Sequence, residues 1–343
     1  MNKHFLLKLL FICMLLQSTI TQGAPTNLEF PYDHGKHTQF GQEWWVFYGH
    51  LMDEKHHVFG FRLSFFRLGV PWQASPSQWN TKDIYASWFT ITDNDSQQFY
   101  SQEKVNRTSF NFAGSSEAQM QIWNMGWQAN MQGDQMTLFA KTKQMQLALH
   151  LKSTAQPLLF WQNGFSKSQG MYEYVLPSLT GFGELQINSK SLTVAVISGG
   201  VEHGFTDPKN RLASWDKMSI HLNNNERIFI YTLSDREWID AESFCIINRA
   251  DGESVRLDIA DCQLRPQNQW TSPESNATYP SSWELIIPKY DYRLMIKPTL
   301  KNQEITTLNT TFWGGQGLVE GKRDNETLTG FAYIELSKKN LQK

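Results

Sequence analysis

Four short stretches hold residue types that could do chemistry. GGVEHGFTD places Glu202 and His203 just after the pair Gly199-Gly200 and shortly before Asp207. An acid beside a histidine, on backbone that glycine leaves free to bend, suits proton transfer. Adjacent residues on a strand point to opposite faces, so both could reach one cavity only if the segment 199–204 bulged. SWDK sets Asp216 beside the indole of Trp215, and QEWW sets Glu43 before Trp44 and Trp45. A carboxylate held among aromatic rings is desolvated, which disfavours its charged form and can make it a proton donor near neutral pH. The competing reading of Glu43 is a buried structural carboxylate bonded to an arginine such as Arg62 or Arg67. DHGKH gathers Asp33, His34 and His37. A metal would need a further, distant ligand, so this stretch reads as a turn whose histidines bond to backbone, and no metal or cofactor is expected. His56 and His57 fall in a hairpin tip and read as exposed. No GxSxG, HExxH or phosphate-cradling glycine loop is present.

The elements that must position these residues are strands. Bulky side chains in EWWVFY fit a pleated surface better than a helix. Alternation sends Glu43, Trp45 and Phe47 to one face and Trp44, Val46 and Tyr48 to the other, so both faces need cover. VFGFRLSFFRLG, IYASWFTITD, MQLALHLKS, WDKMSIHLN, RIFIYTLSD and YRLMIKPTL continue the pattern between turn signals such as Gln132-Gly133-Asp134 and Asp251-Gly252. Many short strands at this spacing predict an all-β sandwich or barrel architecture.

Residues 1–23 carry Lys3 and Lys8, an apolar run and a small-residue end, the pattern of a cleaved signal peptide. The chain is therefore expected to be exported, periplasmic or secreted. The mature length exceeds what one core usually holds, which predicts two domains, 24–208 and 209–343, dividing near Asp207 to Arg211. A formal net charge of −2 without a basic stretch argues against nucleic acid as a partner. Thirteen tryptophans suit a thick β core or a pocket for a large apolar ligand. That ligand is the expected partner, together with peripheral contact to a membrane or an export system. Cys245 and Cys262 are the cysteines left after cleavage, and export favours their bridging. A symmetric hairpin about Asp251-Gly252 would instead set Cys245 opposite Asp258, so bridging needs a bulge or a neighbouring strand.

FPYDHGKHTQFGQEWWVFYGHL, FGFRLSFFR, NGFSK, YEYVLPSL, GGVEHGF and SWDKMSIHL, followed by FWGG and GFAYIEL, resemble in order the carotenoid 1,2-hydratase and AttH-like family. The resemblance implies two lipocalin-like antiparallel β-barrel domains packed together, with apolar ligands held in such barrels. It also implies either ligand carriage or acid–base chemistry on an alkene, such as addition of water. Under the second alternative Glu202 or Asp216 would give the proton and His203 would direct water. Glu43, Trp44, Trp45, Tyr172, Tyr174, Trp215 and Trp313 would line the ligand site. The chain departs from the family pattern at Glu202-His203-Gly204-Phe205, where Asp-His-x-Trp is usual. It departs again at Trp88 in place of a histidine, at Pro177-Ser178 in place of an arginine, and at Gly314 in place of a carboxylate. Each change removes or moves a polar group. The expectation is therefore a binding protein, with a hydratase-like enzyme as the alternative.

Overall fold

A computed structural model describes residues 27–70, 81–207, 214–234, 242–306 and 311–337. The expected signal peptide lies outside these residues, as do 208–213, where the expected domain boundary falls. Among the described residues the regular structure is antiparallel strand with five short 3-10 turns. Among the described residues no helix is long and apolar enough to cross a membrane.

The strands form two sheets. The first runs from strand Gln98–Arg107 through Asp83–Asp93, Val58–Gly69 and Gln42–Asp53 to Lys190–Thr206, and on to Ala113–Ser115. It curls into a nearly closed barrel. Its free ends are linked by Asn124, whose amide accepts from Asn106 Nδ2 at 2.7 Å and donates to Tyr85 O at 3.2 Å. The second sheet, from Ser254–Asp258 to Gln263–Thr271, is a half-barrel around strands Ser214–Leu222, Thr311–Arg323 and Glu326–Ser337.

Among the described residues three large cores follow from the alternation, beside a small cluster of Phe40, Tyr172 and Phe205. Trp45, Phe47, Phe61, Leu63 and Trp127 fill the lumen of the first barrel. Met218, Ile220, Trp313 and Ile334 belong to the core of the second sheet. Trp44, Val46, Tyr48, Tyr231 and Tyr333 form a third core where the outer faces of the two sheets meet. The strand 42–53 therefore has both faces covered because it is the wall between a barrel lumen and a domain junction.

Strand 190–206 organises the first domain. One edge pairs with strand 42–53 along its length, while the other pairs first with Leu179–Ile187 and then with Met171–Leu176. The irregularity expected at 199–204 is displaced. Register jumps between His50↔Ser198 and Leu51↔Val196, which leaves Ile197 as the extra residue, and 199–204 pair without interruption. Glycine serves close approach instead of bending here. A Cβ on Gly204 would lie 2.4 Å from the Trp44 ring, and one on Gly200 would lie 2.7 Å from the Tyr48 hydroxyl.

Cys245 and Cys262 form a disulfide with their Cα atoms 6.2 Å apart. The hairpin is one residue off symmetric, with Phe244 opposite Asp258, and the short turn Ile259–Asp261 carries Cys262 back to Cys245. The bridge closes 17 residues, for which chain entropy gives a stabilisation of about 3 kcal/mol. The double variant Cys245→Ser, Cys262→Ser is expected to lose that amount in urea unfolding. An unchanged midpoint would mean that the half-barrel does not depend on the bridge.

Candidate functional sites on the two faces of one wall

Strand alternation divides the candidate residues between two clusters. On the lumen face, Glu43 lies beside Arg67 and Phe205, and Trp45 beside His203, which in turn is paired with Tyr174. Glu43 and His203 are fully buried, and Asp33, His34 and His37 are nearly so. Glu43 Oε1 accepts from His37 Nδ1 at 2.8 Å and from His203 Nε2 at 3.0 Å. Arg67 Nε donates to Glu43 Oε2 at 3.1 Å, and Arg67 Nη1 donates to Asp83 at 2.8 Å. His37 Nε2 donates to Asp33 at 2.9 Å. With Nε2 of His203 committed to Glu43, its Nδ1 accepts from the Tyr174 hydroxyl at 3.0 Å, and that oxygen accepts from His34 Nδ1 at 2.6 Å.

Burial alone would raise the Glu43 carboxyl, but hydrogen bonds from His203 and His37 reverse this and draw it down to about 2. Burial likewise disfavours a charged His37, and its bonds to Asp33 and Glu43 overcome that, so its pKa is raised. His203 is lowered, mainly by burial, and His34 is lowered to about 4 by burial and by His203. The charges close: Asp33, Glu43 and Asp83 face His37, Arg67 and Lys36, whose Nζ is 3.6 Å from Asp83. His37 Nδ1, Glu43 Oε1 and His203 Nε2 lie within 4.8 Å of one another and are the atoms that could hold a metal ion. With a proton on each histidine nitrogen these same atoms hydrogen-bond one another, and a protonated His37 supplies the positive charge. The cluster is a structural knot that ties the segment 33–43 to the barrel wall. Its histidines bond to side chains, not to backbone as expected for a turn.

On the outer face the same strands build a different site. A cavity of about 400 Å³ lies between the sheets. Trp44, Phe66 and Trp88 line it from the first domain, and Trp215, Tyr231 and Phe312 from the second. One end is ionic. Lys217 Nζ donates to Glu173 and, at 3.3 Å, to Glu202 Oε2. Arg62 Nε donates to Glu335 Oε1 at 3.1 Å, and the Tyr333 hydroxyl donates to the same oxygen at 2.6 Å. Glu173 also accepts from Trp44 Nε1 at 3.2 Å, while its Oε2 is buried without a partner. Each ion pair joins one domain to the other.

Three carboxylates, Glu173, Glu202 and Glu335, therefore face two cations, Lys217 and Arg62. Burial pushes Glu202 up to about 7, with Lys217 opposing and Glu173 and Glu335 reinforcing. Lys217 is raised well above its ordinary value: burial would lower it, but Glu173 and the other nearby anions prevail. Arg62 holds Glu335 low against burial. Glu202 is thus the group that keeps a proton near neutral pH.

The expected site residues separate along this division. Trp44 and Trp215 line the cavity, and Glu202 lies behind Lys217 at its ionic end. Glu43, Trp45, Tyr172, Tyr174 and His203 face inward. Trp45 stacks on His203 at 4.7 Å between ring centroids, and Tyr172 stacks on Phe205 at 5.1 Å. Glu202 and His203 do not meet, because the strand stays regular and alternation separates them. Nor is His203 beside Trp215 or Asp216. Asp216 shares the face of Met218 and Ile220, opposite Trp215 and Lys217, so it is not brought to Glu202. Trp313 belongs to the second core and donates to Lys301 O at 2.7 Å, while its neighbour Phe312 takes the cavity position. Sequence reasoning passed over Lys217, Glu173 and Glu335. The lysine in SWDKMSIHL, two residues after Trp215 and therefore on the same strand face as that indole, was the signal for the first of them.

The family profile described as AttH-like matches residues 21–338. Among solved structures, an AttH-type protein from Nitrosomonas europaea aligns with a TM-score of 0.78 at 20% identity, over 92% of this chain and 98% of the other. Kievitone hydratase from Nectria haematococca aligns at 0.71 and 13% identity, over 93% and 94% of the two chains. CghA, solved with Sch210972, aligns at 0.55 and 13% identity, over 87% and 88%. Among curated protein sequences none gives a significant match. These likenesses establish the all-β, lipocalin-like fold, and the profile covers nearly the whole chain: the protein belongs to the AttH-like family.

Proposed function

We propose that the protein binds a large apolar small molecule in the cavity between its two domains. The observation that carries this reading is the cavity itself: walls of indole and phenyl rings from both sheets, with a few charged groups among them. Apolar walls supply affinity, and a few polar groups orient the ligand. The lumen of the first barrel is packed with side chains, so the interdomain junction takes over the ligand-holding role that the resemblance assigned to the barrels. Export would set this binding in an aqueous compartment outside the cytoplasm, as the amino-terminal pattern of residues 1–23 suggests.

Mass spectrometry of organic extracts from purified protein tests the reading, with quenching of tryptophan fluorescence by N-phenyl-1-naphthylamine as a direct measure. Trp44→Ala is expected to weaken binding of that probe about tenfold, the loss of roughly 1.4 kcal/mol of aromatic contact. Phe182→Ala, on an exposed side chain away from the cavity, should leave it unchanged. Absence of both a retained apolar compound and quenching of the wild type would sink the proposal.

A second reading is favoured by Glu202. A buried carboxylic acid that keeps its proton to about pH 7, next to a cavity walled by aromatic faces, has the parts needed to protonate an alkene and shield the cation. The fold is shared with a kievitone hydratase, which is support by analogy only. Lys217 donates to Glu202 Oε2, and the proton would come from the Glu202 carboxyl and not from the ammonium, whose own pKa is raised. Incorporation of ¹⁸O from labelled water into an extracted ligand would favour this reading over carriage.

A further inference from the structure

A second cleft, of about 980 Å³, opens elsewhere along the domain junction. The turn holding Asn94 and the segment Ser178–Thr180 border it from the first domain, and the hairpin 221–227 and Phe331 from the second. Its charged lining residues are Arg227, Lys297, Glu226 and Glu320. Three of these are already matched. Lys297 Nζ donates to Glu320 at 2.5 Å. Glu226 accepts from Arg323 Nη1 at 2.8 Å, from Asn224 Nδ2 at 2.8 Å and from the Tyr292 hydroxyl.

Arg227 is the exception. Its Nη2 donates to Ser178 Oγ at 2.6 Å and its Nη1 to Asn225 O at 3.2 Å. Both acceptors are neutral. Its Nε is buried and has no acceptor. No carboxylate among the described residues pairs with it, and burial lowers its pKa with only Tyr48 acting against that. The adjacent His221, opposite Arg227 across the two strands, is lowered to about 3 by burial and by Arg227, so it stays neutral and changes nothing in this count. A half-buried guanidinium whose Nε is cut off from water and which has no counter-charge carries part of the cost of an unpaired buried ion. Ser178 of the first domain holds this one in place at the cleft, with a donor to spare.

We propose that this cleft is a second ligand site, distinct from the aromatic cavity, which takes an oxyanion group, carboxylate or phosphate, on the Arg227 guanidinium. The planar fork of arginine matches both groups, and an anion there would complete its bonding and neutralise the unmatched charge. Because Arg227 belongs to one domain and its anchor Ser178 to the other, the bound anion would brace the junction. The site is independent of the aromatic cavity, so the failure of one proposal leaves the other standing.

Thermal unfolding at constant ionic strength tests it, with inorganic phosphate, acetate and octanoate as probes. At least one probe is expected to raise the melting temperature of the wild type progressively with its concentration. Arg227→Gln should abolish that rise while keeping the wild-type far-UV circular dichroism and a cooperative thermal transition, which certify its fold. Arg227→Lys, which keeps charge and loses the fork, should weaken the response about tenfold and serves if the Gln variant does not fold. A response to octanoate well above that to acetate would identify the anion as the head of an amphiphile, and equal responses would identify a free oxyanion. If no probe shifts the wild type, or if the Arg227 variants respond as fully as the wild type does, the proposal is overturned.

Discussion

Glu43→Ala is expected to destabilise the protein by roughly 3–5 kcal/mol, the cost of leaving buried charges without their partner. Glu43 is fully buried, and it receives bonds from His37, His203 and Arg67. Without it, Arg67 keeps only Asp83 and backbone carbonyls, and His203 loses its Nε2 acceptor. Glu43→Gln, which preserves volume but removes the charge and presents an NH₂ group to donors, should be milder. Urea unfolding would register the alanine variant as a lower midpoint with an unchanged slope. The pH dependence has a definite sign. The folded carboxyl sits at about 2, below its ordinary 4.5, so its contribution is present above pH 4.5 and is lost as pH falls through about 2. Glu43→Ala should lose this acid limb. Because the cluster faces the lumen and not the cavity, folded Glu43→Ala is expected to bind N-phenyl-1-naphthylamine like the wild type. An unchanged urea midpoint would overturn the structural role assigned to Glu43.

Glu202→Gln should act in the opposite sense and remove a loss of stability at alkaline pH. The folded carboxyl is raised from 4.5 to about 7. The folded state therefore holds this proton more tightly than the unfolded chain does. The contribution is fully present below pH 4.5 and is lost as pH rises through about 7. At 1.36 kcal/mol per unit the swing is about 3 kcal/mol. A glutamine cannot ionise, so the variant should equal or exceed the wild type above pH 8 and should lack the decline between pH 5 and 8. Burial is the main cause, opposed by Lys217 and reinforced by Glu173 and Glu335, and the ion pairs span the domain junction. Unfolding free energies measured across that range decide the matter. If wild type and variant declined in parallel, the proton would belong to another member of the cluster. Should ¹⁸O labelling reveal hydration, turnover should be lost in the same variant, because a glutamine amide has no acidic proton to give.

The all-β architecture was legible because alternation is local: each strand declares its two faces in its own side chains. EWWVFY announced a wall covered on both sides, and the burial of Glu43 against Arg67 followed from the cost of an unpaired carboxylate. The motif order also identified the family. Strand partners were not legible, and they decide which residues share a face. Glu202 and His203 are adjacent in the chain, yet a regular ladder sends one to the junction and the other to the lumen, since the bulge falls at Ile197 and not among the glycines. Glu43, His203 and Tyr174 meet because strand 190–206 pairs on both edges, and the bond from His203 to Glu43 spans 160 residues that no local pattern encodes. The tryptophan count predicted a pocket or a core, and the molecule has both. Only the packing of two outer faces turned Trp44, Trp88 and Trp215 into cavity walls while Trp45 and Trp313 went to the cores. Alternation states that a side chain faces away from its neighbour; what it then faces depends on the sheet that packs there.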